Sequence, residues 1–171
     1  MMSEELKKAM NDQLVAEVYS AYMYWSMASY LHGQDYPGMA HWMEAQAKEE
    51  LSHAARIYNY LIDRGVKVSM AAVEAPPVEW DSPLHVMENV LEHEKKVTAM
   101  IHNLVDIAIN EKDYATNRFL SWFVEEQVEE ESSAHAILAR MKKLGDDVQG
   151  LIMLDNEMAS RKPLYHILPK D

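Results

Sequence analysis

The sequence predicts an all-α protein: an antiparallel four-helix bundle with one long crossover and a short fifth helix at the C-terminal end. Three observations predict it. The 5 glycines and 6 prolines fall in breaks, leaving four long stretches free of both past their first turns. Each stretch repeats its apolar residues at the period of one helical face. The breaks are two short and one long, and their lengths set the direction of each helix.

The first helix opens at Ser3, a capping residue ahead of Glu4 and Glu5, whose charges suit a helix N-terminus. Its stripe is Leu6, Met10, Gln13, Glu17, Ala21, Tyr24, Ala28 and Leu31. A Gly33–Gly38 turn ends it. The second helix starts near Pro37, with proline in its first turn, and carries Met39, Met43, Gln46, Glu50, His53, Ile57 and Leu61. The Gly65–Pro83 connection, with Pro76 and Pro77, shows no helical period. Ser82 and Pro83 supply the N-cap and first residue of the third helix, whose stripe is Met87, Val90, Glu94, Val97, Ile101, Leu104 and Ala108. After the Asn110–Asp113 break, Asp113 caps a fourth helix. Its stripe is Leu120, Phe123, Gln127, Glu130, Ala134, Ile137 and Met141, and Gly145 stops it.

Helices of roughly 28 residues are about 42 Å long. The two short breaks make neighbouring helices antiparallel. The long connection spans the bundle, so the second and third helices run parallel. Asp146 and Asp147 open the fifth helix, which runs to about Met158 with Val148, Leu151, Ile152 and Leu154 as its apolar set. The expectation is one domain over 1–171: a bundle at about 3–144, a short helix at about 147–158 and an irregular tail at 159–171.

Composition narrows the function. The 16 Lys and Arg against 28 Asp and Glu give a net charge of −12. A chain so acidic repels nucleic acid and anionic membranes and attracts cations. With no cysteine, disulfides, zinc ribbons, thiolate catalysis and cysteine-bound Fe–S clusters are excluded. The start, Met1-Met2-Ser3-Glu4-Glu5, lacks the basic and apolar regions of a signal peptide, and no apolar run reaches the ~18 residues of a membrane span. A cytoplasmic protein is expected.

The stripes carry an anomaly. Near the middle of each lies a polar level: Glu17, Glu50 with His53, Glu94, and Gln127 with Glu130. Buried unpaired charge costs several kcal/mol, and no Lys or Arg shares these stripes, so the level calls for a cation. Carboxylates with one imidazole suit iron or manganese better than zinc, and this many carboxylates suggest two ions. Glu50-x-x-His53 places both groups one turn apart on one face. An E-x-x-H spacing alone is common in solvated helices; its place in a core stripe favours metal. The run Glu125 to Glu131 is ordinarily a solvated face, but Leu120, Phe123 and Ala134 turn Gln127 and Glu130 inward. Glu126 and Glu129, beside that stripe and next to Glu49, either bind a further ion or are simply solvated.

Tyr24 lies two turns after Glu17. It is either a core phenol bonded to a glutamate or a redox-active group beside the metals. Trp122 reads as packing. The 13 methionines are most simply core filler; Met39 or Met43 as a haem ligand is the weaker reading. His32, His41, His85, His93, His102, His135 and His166 lie off the stripes and read as surface or capping residues.

Taken together, Glu17 with Tyr24, Glu49-Glu50-Leu51-Ser52-His53, Glu94 and Trp122 to Glu131 resemble the non-haem ferritins of bacteria and archaea. The resemblance runs from Asn11 through the fifth helix. It implies a ferritin-like fold, a homo-oligomeric cage (a 24-mer) and a ferroxidase centre inside each bundle. Glu17, Glu50 and His53 would hold a first iron. Glu50 would bridge to a second, held by Glu94 and Glu130, with Gln127 close by. Glu49, Glu126, Glu129 and Glu130 match a third iron site, and Tyr24 matches the family's phenol.

Bacterioferritins and rubrerythrins carry a second E-x-x-H where this chain has Gln127-x-x-Glu130. The haem-ligating Met of bacterioferritins falls where Ser52 stands, so no haem is expected. The DNA-protecting mini-ferritins build their site between subunits.

The implied function is iron storage: Fe(II) is oxidised by dioxygen or hydrogen peroxide and kept as ferric oxyhydroxide. A di-iron oxidase or peroxidase that does not mineralise would use the same ligands. An acidic helical scaffold whose glutamate cluster is a protonated or solvated network would use none.

Overall fold

The computed structural model describes residues 2–162. Five helices follow in order: α1 (Glu4–Gly33), α2 (Pro37–Asp63), α3 (Pro83–Asn110), α4 (Tyr114–Leu144) and α5 (Val148–Met158). Among the described residues there is no strand. No helix there is long and apolar enough to cross a membrane.

The caps work as their chemistry requires. Ser3 accepts from the Leu6 amide, Ser82 from His85, Asp113 from Thr116 and Asp147 from Gln149. Pro37 and Pro83 occupy first turns, where a missing N–H costs nothing. Gly145 closes α4 at φ 55°, left-handed backbone that disfavours a side chain. Asp35 and Lys112 take the same region without being glycine, at φ 59° and 57°, one in each tight turn.

The longest contacts run α1 along α2 and α3 along α4, so the bundle consists of two helical hairpins joined by the Gly65–Ser82 crossover. The expected inner residues of α1, α2 and α3 are all buried. They form two apolar clusters rather than one. The first includes Met27, Leu31, Met43, Met87 and Met141. The second includes Leu6, Leu14, Leu61, Ile101 and Phe123. Between them lies the polar level.

Three expectations need correction. In α4, Leu138 is buried and Ile137 only partly so; the inner row continues from Ala134 by four residues and then three to Met141. In α5, Val148 and Ile152 are exposed, while Leu154, Asp155 and Met158 face the bundle. Asp155 is buried because its Oδ1 accepts the Met39 amide at 2.7 Å, satisfying one orphan donor at the start of α2. Gly38 permits that approach: a Cβ there would stand 1.8 Å from the Asp155 carbonyl oxygen. His93 is only partly exposed. It shares a hydrogen bond with Ser20 at 2.8 Å and lies against Tyr19 and Tyr24. Burial lowers its pKa to about 4. His166 and the part of the expected tail beyond Lys162 lie outside the described residues.

Candidate metal centre

The four long helices bring Glu17, Glu50, His53, Glu94, Gln127 and Glu130 to one level, each buried. One ligand atom from each of Glu17, Glu50 and His53 lies within 4.8 Å of the others. His53 Nδ1 is 3.4 Å from Glu50 Oε2 and 3.9 Å from Glu17 Oε2. The edges of Trp122 and Phe123 meet the His53 ring at centroid distances of 5.4 and 5.9 Å, which limits how the imidazole can turn.

Amides and one phenol orient the carboxylates. Gln13 Nε2 donates to Glu17 Oε1 and Gln46 Nε2 to Glu130 Oε2, each at 2.8 Å. The Tyr24 hydroxyl donates to Glu94 Oε1. Gln127 Nε2 lies 3.3 Å from Glu94 Oε2 and 3.2 Å from Thr98 Oγ1. Gln13 and Gln46 were readable as inner residues but not as partners. Gln13 lies one turn before Glu17, its partner, and that spacing was the available signal; Gln46 reaches across to α4, which no local spacing marks.

Electrostatically the level is overcharged. Burial raises the pKa of Glu17 and Glu50 well above the ordinary carboxylate value, and neighbouring carboxylates raise them further: Glu50 acts on Glu17, and Glu94 and Glu130 on Glu50. Burial also raises Glu94, against the hydrogen bonds from Tyr24 and Gln127. Glu130 is pushed up to about 8 by burial, then by Glu94 and Glu49. Among the described residues no Lys or Arg pairs with these four carboxylates. Glu17 Oε2, Gln13 Oε1 and Gln46 Oε1 are buried without a hydrogen-bond partner there. Buried oxygens in this state are what a hard cation satisfies, so the residues fit an iron-type ion.

A second group adjoins the first. Glu49, His53 and Glu126 also offer ligand atoms within 4.8 Å of one another. Glu129, expected with them, is exposed. Glu49 Oε2 is held by Arg161 Nη2 at 2.8 Å, a contact from the far end of the chain that no local spacing could announce.

A bundle of two hairpins with buried carboxylates and an E-x-x-H from its helices defines the class of carboxylate-rich metal proteins built on the ferritin plan. The comparisons agree. The ferritin-like domain family model matches residues 7–144. A bacterial non-heme ferritin of Bacteroides fragilis is 42% identical over 94% of this chain and all of its own length. One of Staphylococcus aureus is 40% identical over 94% of this chain and 97% of its own. Among solved structures, an open-pore ferritin of Archaeoglobus fulgidus superposes with a TM-score of 0.94 at 48% identity, covering 95% of this chain and 100% of that one. A humanized archaeal ferritin gives 0.95 at 43% identity, covering 96% and 99%. The chain belongs to the ferritin family.

Proposed function

We propose that this protein stores iron, oxidising Fe(II) at the buried level and holding the product as ferric oxyhydroxide inside a cage of identical subunits. The observation that carries the reading is a buried level of four carboxylates and an imidazole with, among the described residues, no Lys or Arg paired to the four carboxylates. Membership of the ferritin family points the same way.

Ferrous iron is the substrate. Glu17, Glu50 and His53 would hold one ion, and Glu50, Glu94 and Glu130 the other, with Gln127 beside them. Two Fe(II) supply the electron pair that reduces dioxygen to hydrogen peroxide with two protons, or hydrogen peroxide to two waters with two protons. Carboxylate oxygens stabilise Fe(III) more than Fe(II), which favours electron loss. Gln13, Gln46 and Tyr24 keep the oxygens oriented while charge changes on the ions. The raised carboxyl groups lose protons as iron enters, offsetting its charge. Glu49 and Glu126, with Glu129 at the rim, would take a third ion.

Assembly is supported by apolar side chains left on the surface. Tyr22 and Trp25 of α1, Tyr58 and Ile62 of α2, and Val148, Ile152 and Met153 of α5 are exposed, and such patches suit contacts between copies.

Aerobic Fe(II) loading followed by size-exclusion chromatography tests the reading. Iron climbing far beyond the ions these side chains can ligate, on a particle much larger than a dimer, is the expected result. Saturation at a few ions per chain would leave a di-iron oxidase and remove storage.

A further inference from the structure

Arg161 lies beyond α5, yet its side chain enters the outer group of Glu49, His53 and Glu126. Its Nη2 donates to Glu49 Oε2 at 2.8 Å, with the two side chains 19% and 3% exposed. The guanidinium carbon stands 4.4 Å from the centroid of the Trp42 ring. The Arg161 carbonyl oxygen accepts from His41 Nε2 at 2.9 Å. Nη1 is buried and has no hydrogen-bond partner among the described residues. The grip on Glu49 is therefore single-pronged, short of the forked pairing that makes arginine–carboxylate contacts strong.

We propose that Arg161 is a built-in competitor for cations at the outer site: its guanidinium neutralises Glu49 until a metal ion displaces it. The inference rests on the reading of Glu49 as a metal ligand. A carboxylate gripping a guanidinium cannot also take a metal ion at full strength, because the two positive charges then repel at short range. His41 anchors the Arg161 backbone, so the side chain can swing off Glu49 without α5 undocking. Among the described residues Nη1 has no bond to break, which lowers the cost of leaving. An ion at the outer site is thus held more weakly than one at the inner level, which suits a place that ions pass through.

The test uses the full-length assembled protein and Zn(II), which is redox-inert, by isothermal titration calorimetry. Wild type is compared with E49Q, R161Q, R161M and R161K. The expected result is a weaker class of Zn(II) sites that E49Q removes. R161Q and R161M tighten that class about fivefold, the scale of one partly buried ion pair, and R161K returns it toward wild type. Methionine retains the packing over Trp42 without charge, so it still reports if glutamine disturbs the fold. The stronger class stays unchanged in the Arg161 variants. Outer affinity within twofold of wild type, or weaker, in both neutral variants overturns the competitor role while leaving the site. If E49Q removes no class, the outer site itself falls, and the competitor with it.

Discussion

The Tyr24 hydroxyl donates to Glu94 Oε1 across the bundle, tying α1 to α3 inside the carboxylate level. Burial and then Glu94 hold the phenol pKa well above its ordinary value, so Tyr24 stays protonated and remains a donor. Any electron leaving this ring would send its proton toward Glu94. Tyr24→Phe is expected to slow Fe(II) oxidation about tenfold, within the usual range for groups that orient ligands. Thermal stability should fall by only ~1 kcal/mol, the net worth of one hydrogen bond. Stopped-flow absorbance and thermal unfolding read the two effects; an unchanged oxidation rate would remove Tyr24 from the chemistry.

Glu50 faces both halves of the level, so it is the most informative carboxylate to neutralise. Glu50→Gln should lower metal affinity and oxidation rate by about 100-fold or more, beyond the orienting groups. The same change removes a group whose ionisation burial and neighbouring carboxylates oppose, so the metal-free variant should lose less stability than wild type as pH rises. Calorimetry with and without Zn(II) separates the two. In wild type, ion at 100 times its Kd should add about 2.7 kcal/mol, and in Glu50→Gln much less.

Proton release follows from Glu130. Its folded pKa of about 8 exceeds the ordinary 4.5, so between those values the metal-free folded chain holds a proton that the unfolded chain has lost. Stability of the metal-free protein therefore falls as pH rises through that window. Metal binding at pH 7 should expel protons, and affinity should drop as pH falls. Titration calorimetry in two buffers of different ionisation heat counts them; identical apparent heats would mean no proton leaves.

At the other end of the bundle, Arg64 grips Asp113, with Nη2 2.8 Å from Oδ2. Asp113 also caps α4. The Arg64 contact holds the Asp113 pKa down to about 2, from an ordinary 3.8. A carboxyl group with a depressed folded pKa stabilises the fold above its unfolded pKa and loses that contribution as pH falls through about 2. Asp113→Ala should cost about 1–2 kcal/mol near neutrality, the range for a lost cap. Urea unfolding at pH 7 measures it.

Gly38→Ala should dislodge α5. The added methyl would overlap the Asp155 carbonyl, and overpacking of this kind typically costs ~1–3 kcal/mol. The Met39–Asp155 bond and the Arg161–Glu49 contact should weaken together. A lowered melting temperature with faster amide exchange in α5 is the expected signature; wild-type protection there would show that the helix shifts without loss.

Much of the fold was legible because period and caps are local. Ser3, Pro37, Ser82 and Asp113 act within a few residues of themselves, and the stripes need only the helical repeat. The glutamates were legible for the opposite reason: they violate the repeat's apolar rule at one level. What escaped was decided across the bundle. Apolarity alone put Val148 and Ile152 inside, but α5 turns on the bond between Asp155 and the Met39 amide, residues distant in sequence. His93 looks like a charged-face residue beside Glu92 and Lys96, and it is Ser20, Tyr19 and Tyr24 from α1 that draw it in. Arg161 carries no local mark of its destination.

The long crossover has a mechanical consequence. One hairpin carries Glu17, Glu50 and His53; the other carries Glu94, Gln127 and Glu130. Neither half owns a complete ligand set. Direct bonds that span the seam here include Tyr24 to Glu94, Gln46 to Glu130 and, beside them, Ser20 to His93, and around them the facing carboxyl groups raise one another's pKa. Bound iron would therefore act as a rivet. Loading would clamp the two hairpins through ligands drawn from both, and each discharge of ions would slacken the joint again.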